Sequence, residues 1–474
     1  MPFSSRVLHF VALGALVLSA PTFAGVYYVD GSAGSDSGAG SQSAPKKTIQ
    51  AGIALMSSSG GDVLMIAPGT YAGSGNSVSS PKNGTASSWN VIKATTDGTV
   101  LITTGLNIGT GNHYVQFEGL KFSDSGIKTI LGGYTKFLRT AFRGGPSSGN
   151  VVSVQVGSND VTPGADHVLI EDSWVYGAGG RYKILVYNST NIVLRRVVTR
   201  FDGGYNNTDG APEADITVYD SQNVAVLNAI AIDGITGRGA YVAAFYNALN
   251  GTTSTSNTNR EWRGSMTINP TGYFMGTEGQ VSITNLKVID CASYGGTFGV
   301  SQLKGTNNLY QRITLVNSGG DGFGIFGGSA TVQDSVVAAP RGSAFNGVSP
   351  SNSLSLSSVT TLISDGVKYL PRVESGSLLS LGGLLGGQRG ANIMKRLGVS
   401  GTLYGETDYN TETSEDLWPW PYEARIKADF AEESTRGFAG SSGSMTDYIW
   451  GLLGNGSPVA QAPVPNAPTN VVAQ

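Results

Sequence analysis

The sequence predicts an all-β solenoid, and three observations predict it. Two segments repeat without a gap at a spacing of 32 residues: KILVYNSTN from Lys183 to Asn191 and DITVYDSQN from Asp215 to Asn223. Short segments that mix apolar and polar residues recur as weaker copies beginning at Val115, Phe137, Val168, Val281 and Leu309, with most neighbours 22 to 32 residues apart. Glycine reaches 68 of 474 residues without a Gly-X-Y period, which excludes collagen and suits many tight turns. Each repeat carries a strip of inward apolar side chains that it cannot bury alone. Stacking the repeats in register buries the strips and completes the backbone ladder. Alternation sends the intervening residues outward.

Residues 1–24 have the form of a secretory signal peptide: Arg6, a short apolar run from Val11 to Leu18, and small residues before Gly25. That run falls well short of the roughly 20 residues that span a bilayer, and no later stretch reaches that length, so no integral membrane span is expected. From Tyr27 to Tyr71 the chain reads as an extended entry, a Gly/Ser loop, an amphipathic helix from about Pro45 to Met56, a strand from Asp62 to Ala67, and a Pro68-Gly69 turn. Ile49, Ile53 and Met56 share one face of that helix, which is expected to cap the open N-terminal end of the solenoid. In the repeats, Ser189/Ser221 and Asn191/Asn223 are expected to form polar ladders at a turn.

The repeat breaks between Ala248 and Met275, where NGTTSTSNTNREW reads as a projecting polar loop. Residues 25–382 form the solenoid with its N-terminal cap. Residues 383–455, with LWPWP from Leu417 to Pro421 and two short helices, read as a C-terminal cap that Trp418, Trp420, Tyr448 and Trp450 pack onto the last coils. Residues 456–474 form a Pro/Ala-rich tail.

The Tyr27–Tyr71 string resembles the N-terminal cap and first coil of secreted right-handed parallel β-helix proteins of the pectate-lyase-like superfamily. That resemblance implies a single right-handed parallel β-helix and an extracellular, polysaccharide-directed role. No catalytic motif of the superfamily matches position by position, so the resemblance transfers no site residues.

The formal charge of −3 and a charged fraction of 13% argue against an electrostatic nucleic-acid binder. Cys291 is the only cysteine, so no intrachain disulfide forms; its place in the apolar LKVIDCAS segment reads as structural burial. The densest ionisable cluster runs from Arg181 to Asp215. Its loop FDGGYNNTDGAPEAD offers Asp202, Asp209 and Asp215 as oxygen ligands for calcium (Ca2+). The repeat sets Lys183 and Asp215 in one row on adjacent coils, roughly 4.8 Å apart. β-Elimination on a uronate needs a positive group on the carboxylate and a base for the adjacent C–H proton. Lys183 is the candidate base and Arg200 or Arg195 the carboxylate clamp. The same residues also read as cross-coil ion pairs with no catalytic role. His113 and His167 each begin an apolar strand and read as turn residues, and Asp172, Asp233 and Asp290 as turn formers. Two functions follow: a calcium-assisted lyase of acidic polysaccharides, or a non-catalytic cell-surface or matrix scaffold that binds glycans.

Overall fold

The computed structural model describes residues 25–149, 151–160, 164–206, 213–235, 242–249 and 258–459. Three long parallel sheets run side by side. Sheet I has 12 strands, from Val26–Val29 to Ala330–Gln333; sheet II has 12, from Gly69–Tyr71 to Leu354–Leu356; sheet III has 11, from Val78–Ser79 to Phe345–Asn346. From Val63 to Asn346 the chain visits them in that order, as in His113–Glu118, Leu120–Ser123 and Lys128–Ile130 before the next coil starts at Gly133. The 32-residue repeat is the register itself: Ile184 pairs with Ile216, Val186 with Val218 and Tyr187 with Tyr219. The shared interior is one apolar column, with ring stacks such as Phe117 on Phe137 at 4.7 Å.

At many corners the chain turns by placing a residue in the left-handed region. At the corner from sheet III to sheet I these are Tyr114, Tyr134, His167, Asn191, Asn223, Asn259, Asn285 and Asn307, one per coil, with φ between 42 and 59°. Asn tolerates that conformation better than other side chains do. The ladders expected there are present. Asn223 Nδ2 donates to Asn191 Oδ1 at 3.1 Å, and the Ser189 N–H donates to Ser221 Oγ at 3.0 Å. Asp172, Asp233 and Asp290 turn other corners with φ of 51, 49 and 51°.

Helix α1 (Ile49–Leu55) starts at Thr48, whose side chain accepts from the Ala51 N–H, and it buries Ile49 and Ile53 against the first coil. The polar stretch after Ala248 is not all loop. Arg260–Arg263 is a strand of sheet I and Val242–Leu249 and Tyr273–Gly279 are strands of sheet III; residues 250–257 lie outside the described residues. The periodicity is lost there because Arg260 takes an interior place. Its guanidinium, 1% exposed, donates to the Ser221, Val218 and Ala248 carbonyls at 3.0, 3.0 and 3.2 Å.

The C-terminal segment, expected only on the last coils, lies along the side of the solenoid instead, because apolar residues on the outer faces of sheets I and II run back to the coils of Ala141 and Leu169. Leu397 and Leu403 pack on the outer face of sheet I against Leu169, Val193, Ala225 and Leu227. Helices α2 (Val359–Asp365), α3 (Glu423–Ala431) and α4 (Met445–Trp450) pack with Trp418 and Trp420 on the outer face of sheet II, from Trp174 to Val336. Cys291 is fully buried, and burial pushes its thiol up to about 12, which keeps it protonated and inert.

Candidate functional site

Lys183, Arg200, Asp202 and Asp215 do converge, but within the wall of the coil at the corner between sheets II and III. Lys183 is 0% exposed and its amine donates to the Gly177 and Gly179 carbonyls and sits 4.7 Å from the Phe201 ring centre. Burial brings that amine down to about 8, against the pull of Asp202 and Asp215. The Asp215 carboxyl is pushed up to about 7 by burial, with Thr199 and Lys183 acting the other way. Arg200, 1% exposed, pairs with Asp202 at 3.0 Å, donates to the Phe430 and Ser434 carbonyls, and lies over the Phe430 ring. Arg436 holds the same Asp202 oxygen at 2.7 Å. Such opposed shifts occur at active sites and in structural ion networks alike. Here Lys183 and Arg200 are spent on carbonyls and carboxylates, and no polymer lying on the outside reaches either.

Calcium does not fit this arrangement. Asp202 gives one oxygen to two arginines and the other to the Gly177 N–H at 2.8 Å, and Asp215 faces Lys183. A cation placed between the two carboxyls would meet three positive side chains. Asp209, the third expected ligand, lies outside the described residues. Among the described residues no group of three or more His, Cys, Asp or Glu is disposed to hold a metal. Arg195 and Arg196 are both buried under the 397–402 loop, where Arg195 meets Glu171 at 2.9 Å and Arg196 meets Asp172 at 2.6 Å. They lock the C-terminal segment onto sheet I, and Arg195 is not free to clamp a carboxylate.

The open surface is elsewhere, along the corner from sheet III to sheet I. One groove of about 670 Å³ is lined by Gln222, Asn223, Asn259, Asn285, Lys287 and Asn307 among others. Its side-chain amides repeat once per coil, and Asn307 donates to Asn285 at 2.7 Å within the row. A second groove of about 500 Å³ lies earlier on the same corner, lined by Asn112, His113, Tyr114, Tyr134 and Asp166 among others. Tyr114, Tyr134 and His167 stack there on successive coils, with centroids 4.8 and 4.5 Å apart. The sequence carries a signal for this row. An aromatic or imidazole residue holds the second place in each of HYVQF, GYTKF and DHVLI, the register that Asn191 and Asn223 occupy later.

No family model and no curated protein matches the chain. Solved structures of similar shape include the pectate lyase Pel9A, 15% identical over 76% of this chain and 92% of that one with a TM-score of 0.45. XylC in complex with xylose is 9% identical over 62% and 69%, with a TM-score of 0.46. A lacto-N-biosidase from Eubacterium ramulus is 10% identical over 70% and 67%, with a TM-score of 0.41. The three parallel sheets, visited in turn by successive coils, make this chain an all-β parallel β-helix, the architecture expected from the resemblance of its first coil to the pectate-lyase-like superfamily.

Proposed function

We propose that the protein binds an extended polysaccharide along the corner from sheet III to sheet I and does not cleave it, as a scaffold at or beyond the cell surface. The observation that carries this reading is the amide-lined groove of about 670 Å³ at Asn223, Asn259, Asn285 and Asn307. Amides donate and accept together, which suits hydroxyl-rich sugars. The groove runs across successive coils, so a polymer laid along the axis meets the same donor and acceptor set again at each coil, about 4.8 Å on. Lys287 adds a positive charge, so acidic polymers fall within its range.

The test is equilibrium binding of oligogalacturonate and oligoalginate to the wild type and to an Asn259→Gly/Asn285→Gly/Lys287→Ala variant. Glycine keeps the left-handed backbone while removing the amide. A loss of affinity of tenfold or more is expected, with the circular dichroism spectrum unchanged. Equal affinity sinks the reading.

A lyase reading is favoured by one observation, the lowered Lys183 amine next to a raised Asp215 carboxyl. Absorbance in the unsaturated-uronate band separates the two readings. Growth that chelator and Lys183→Ala both abolish makes the protein a calcium-dependent lyase; a flat trace with binding retained is the expected result.

A further inference from the structure

We infer that the second groove, around Tyr114, Tyr134 and Asp166, is a separate subsite that takes uncharged sugar residues of the bound polymer. This rests on the reading that the corner binds a polysaccharide, and it divides that corner into two parts of opposite preference.

The first argument is conformational. Tyr114, Tyr134 and His167 hold φ of 57, 45 and 54° in a row where the next five coils use Asn. A bulky side chain in that region costs on the order of 1 kcal/mol or more. The opposite corner of sheet I shows what normally offsets such strain. There Arg139, Arg196 and Arg312 hold φ of 53, 49 and 51°, and each is fastened by a carboxylate: Asp97 at 2.6 Å, Asp172 at 2.6 Å and Asp290 at 2.6 Å. Among the described residues neither tyrosine is hydrogen-bonded to a carboxylate; Tyr134 packs at its edge against the apolar cluster of Leu169 and Leu403. Their rings are half-buried, stack on each other at 4.8 Å, and line an open groove. His167 continues the stack and its Nδ1 lies 2.9 Å from Asp166 Oδ1. Trp89 meets Tyr114 edge-on at 5.5 Å with Lys136 4.3 Å from the centre of its ring. Strain kept at an open surface, where Asn would relieve it, marks a residue retained for what it contacts.

The second argument is charge. Among the described residues Asp166 is the only charged side chain lining this groove, as Lys287 is the only one lining the amide groove. Burial, Asp166, Tyr114 and Glu406 all hold the Tyr134 phenol in its protonated form, as a donor. A uronate carboxylate would be brought against Asp166, whereas a neutral hydroxylated ring meets phenol donors and the Asp166 carboxylate as acceptor.

The test uses Tyr114→Asn/Tyr134→Asn, which substitutes the residue the row itself uses on later coils. Cellohexaose and mannohexaose serve as neutral probes and oligogalacturonate as the acidic one, read by calorimetry. The expected result is a loss of about tenfold for a neutral probe, unchanged affinity for oligogalacturonate, and a melting temperature equal to or above that of the wild type. The inference is overturned if neither neutral probe binds while oligogalacturonate does, if the variant binds the neutral probes as the wild type does, or if its melting temperature falls with the affinity, which would make the stack a packing element. Loss of every glycan by the wild type sinks the polysaccharide reading itself, a distinct outcome.

Discussion

Two buried ionisable side chains give the protein a pH signature of its own. Asp215 titrates at about 7 when folded, above the ordinary carboxylate, so the folded state binds more protons than the unfolded one between about pH 4 and 7. Stability contributed by this group therefore falls as pH rises through that window. Lys183 is brought down to about 8, so from about pH 8 to 10.4 the unfolded chain binds more protons and stability rises with pH. Asp215→Asn is expected to shrink the difference in melting temperature between pH 5 and pH 7.5; an unchanged difference would remove Asp215 as its source. Arg260 is the other demanding residue. Arg260→Ala leaves the Ser221, Val218 and Ala248 carbonyls buried without their donor, and a loss of about 3–5 kcal/mol in chemical denaturation is expected.

Among the elements, α3 holds the C-terminal segment in place. Lys121 reaches Asp429 at 2.8 Å and Glu432 at 2.6 Å, Trp174 Nε1 donates to Asp429 at 2.7 Å, and Phe430 fills the space beside Tyr176. Phe430→Ala is expected to cost about 3–5 kcal/mol and to bring proteolytic cleavage within residues 395–455 before any cleavage in the coils. Simultaneous loss of both regions would show that the segment and the coils melt as one. This docking also shows where the sequence stops being legible. The repeat at Lys183 and Asp215, helix α1 and the Ser and Asn ladders follow from local pattern, and the structure has them. The coil at Arg260–Arg263 was hidden because a guanidinium satisfied by three carbonyls looks like a surface residue. The lateral docking of the C-terminal segment was hidden because apolar residues on an outer face do not say what covers them. A trace was present: Trp174, Val175 and Tyr176 form a run without alternation, and all three are buried. The charged cluster was found by its density, but density does not tell the inside of a coil from the outside. The Tyr114–Tyr134–His167 row was visible only once the coils were in register.

At the scale of the whole molecule, sheets I and II each carry a covered outer face, while the corner from sheet III to sheet I holds the open grooves. A chain ending at residue 358 would leave Trp174, Tyr176, Val198, Ile230 and Met266 bare on sheet II. Such a truncation is expected to bind a hydrophobic dye strongly and to self-associate in sedimentation; a monodisperse, dye-silent product would show that the coils suffice alone. The segment also changes how the solenoid has to fold. Coils can add to one another in sequence, each next to its neighbour. The contact between Lys121 and Asp429 spans 308 residues, and closing a loop that long is entropically unfavourable until the intervening coils have drawn its ends together. The clasp therefore closes last, and a chain emerging from its amino end carries an unsealed flank until nearly all of it has appeared.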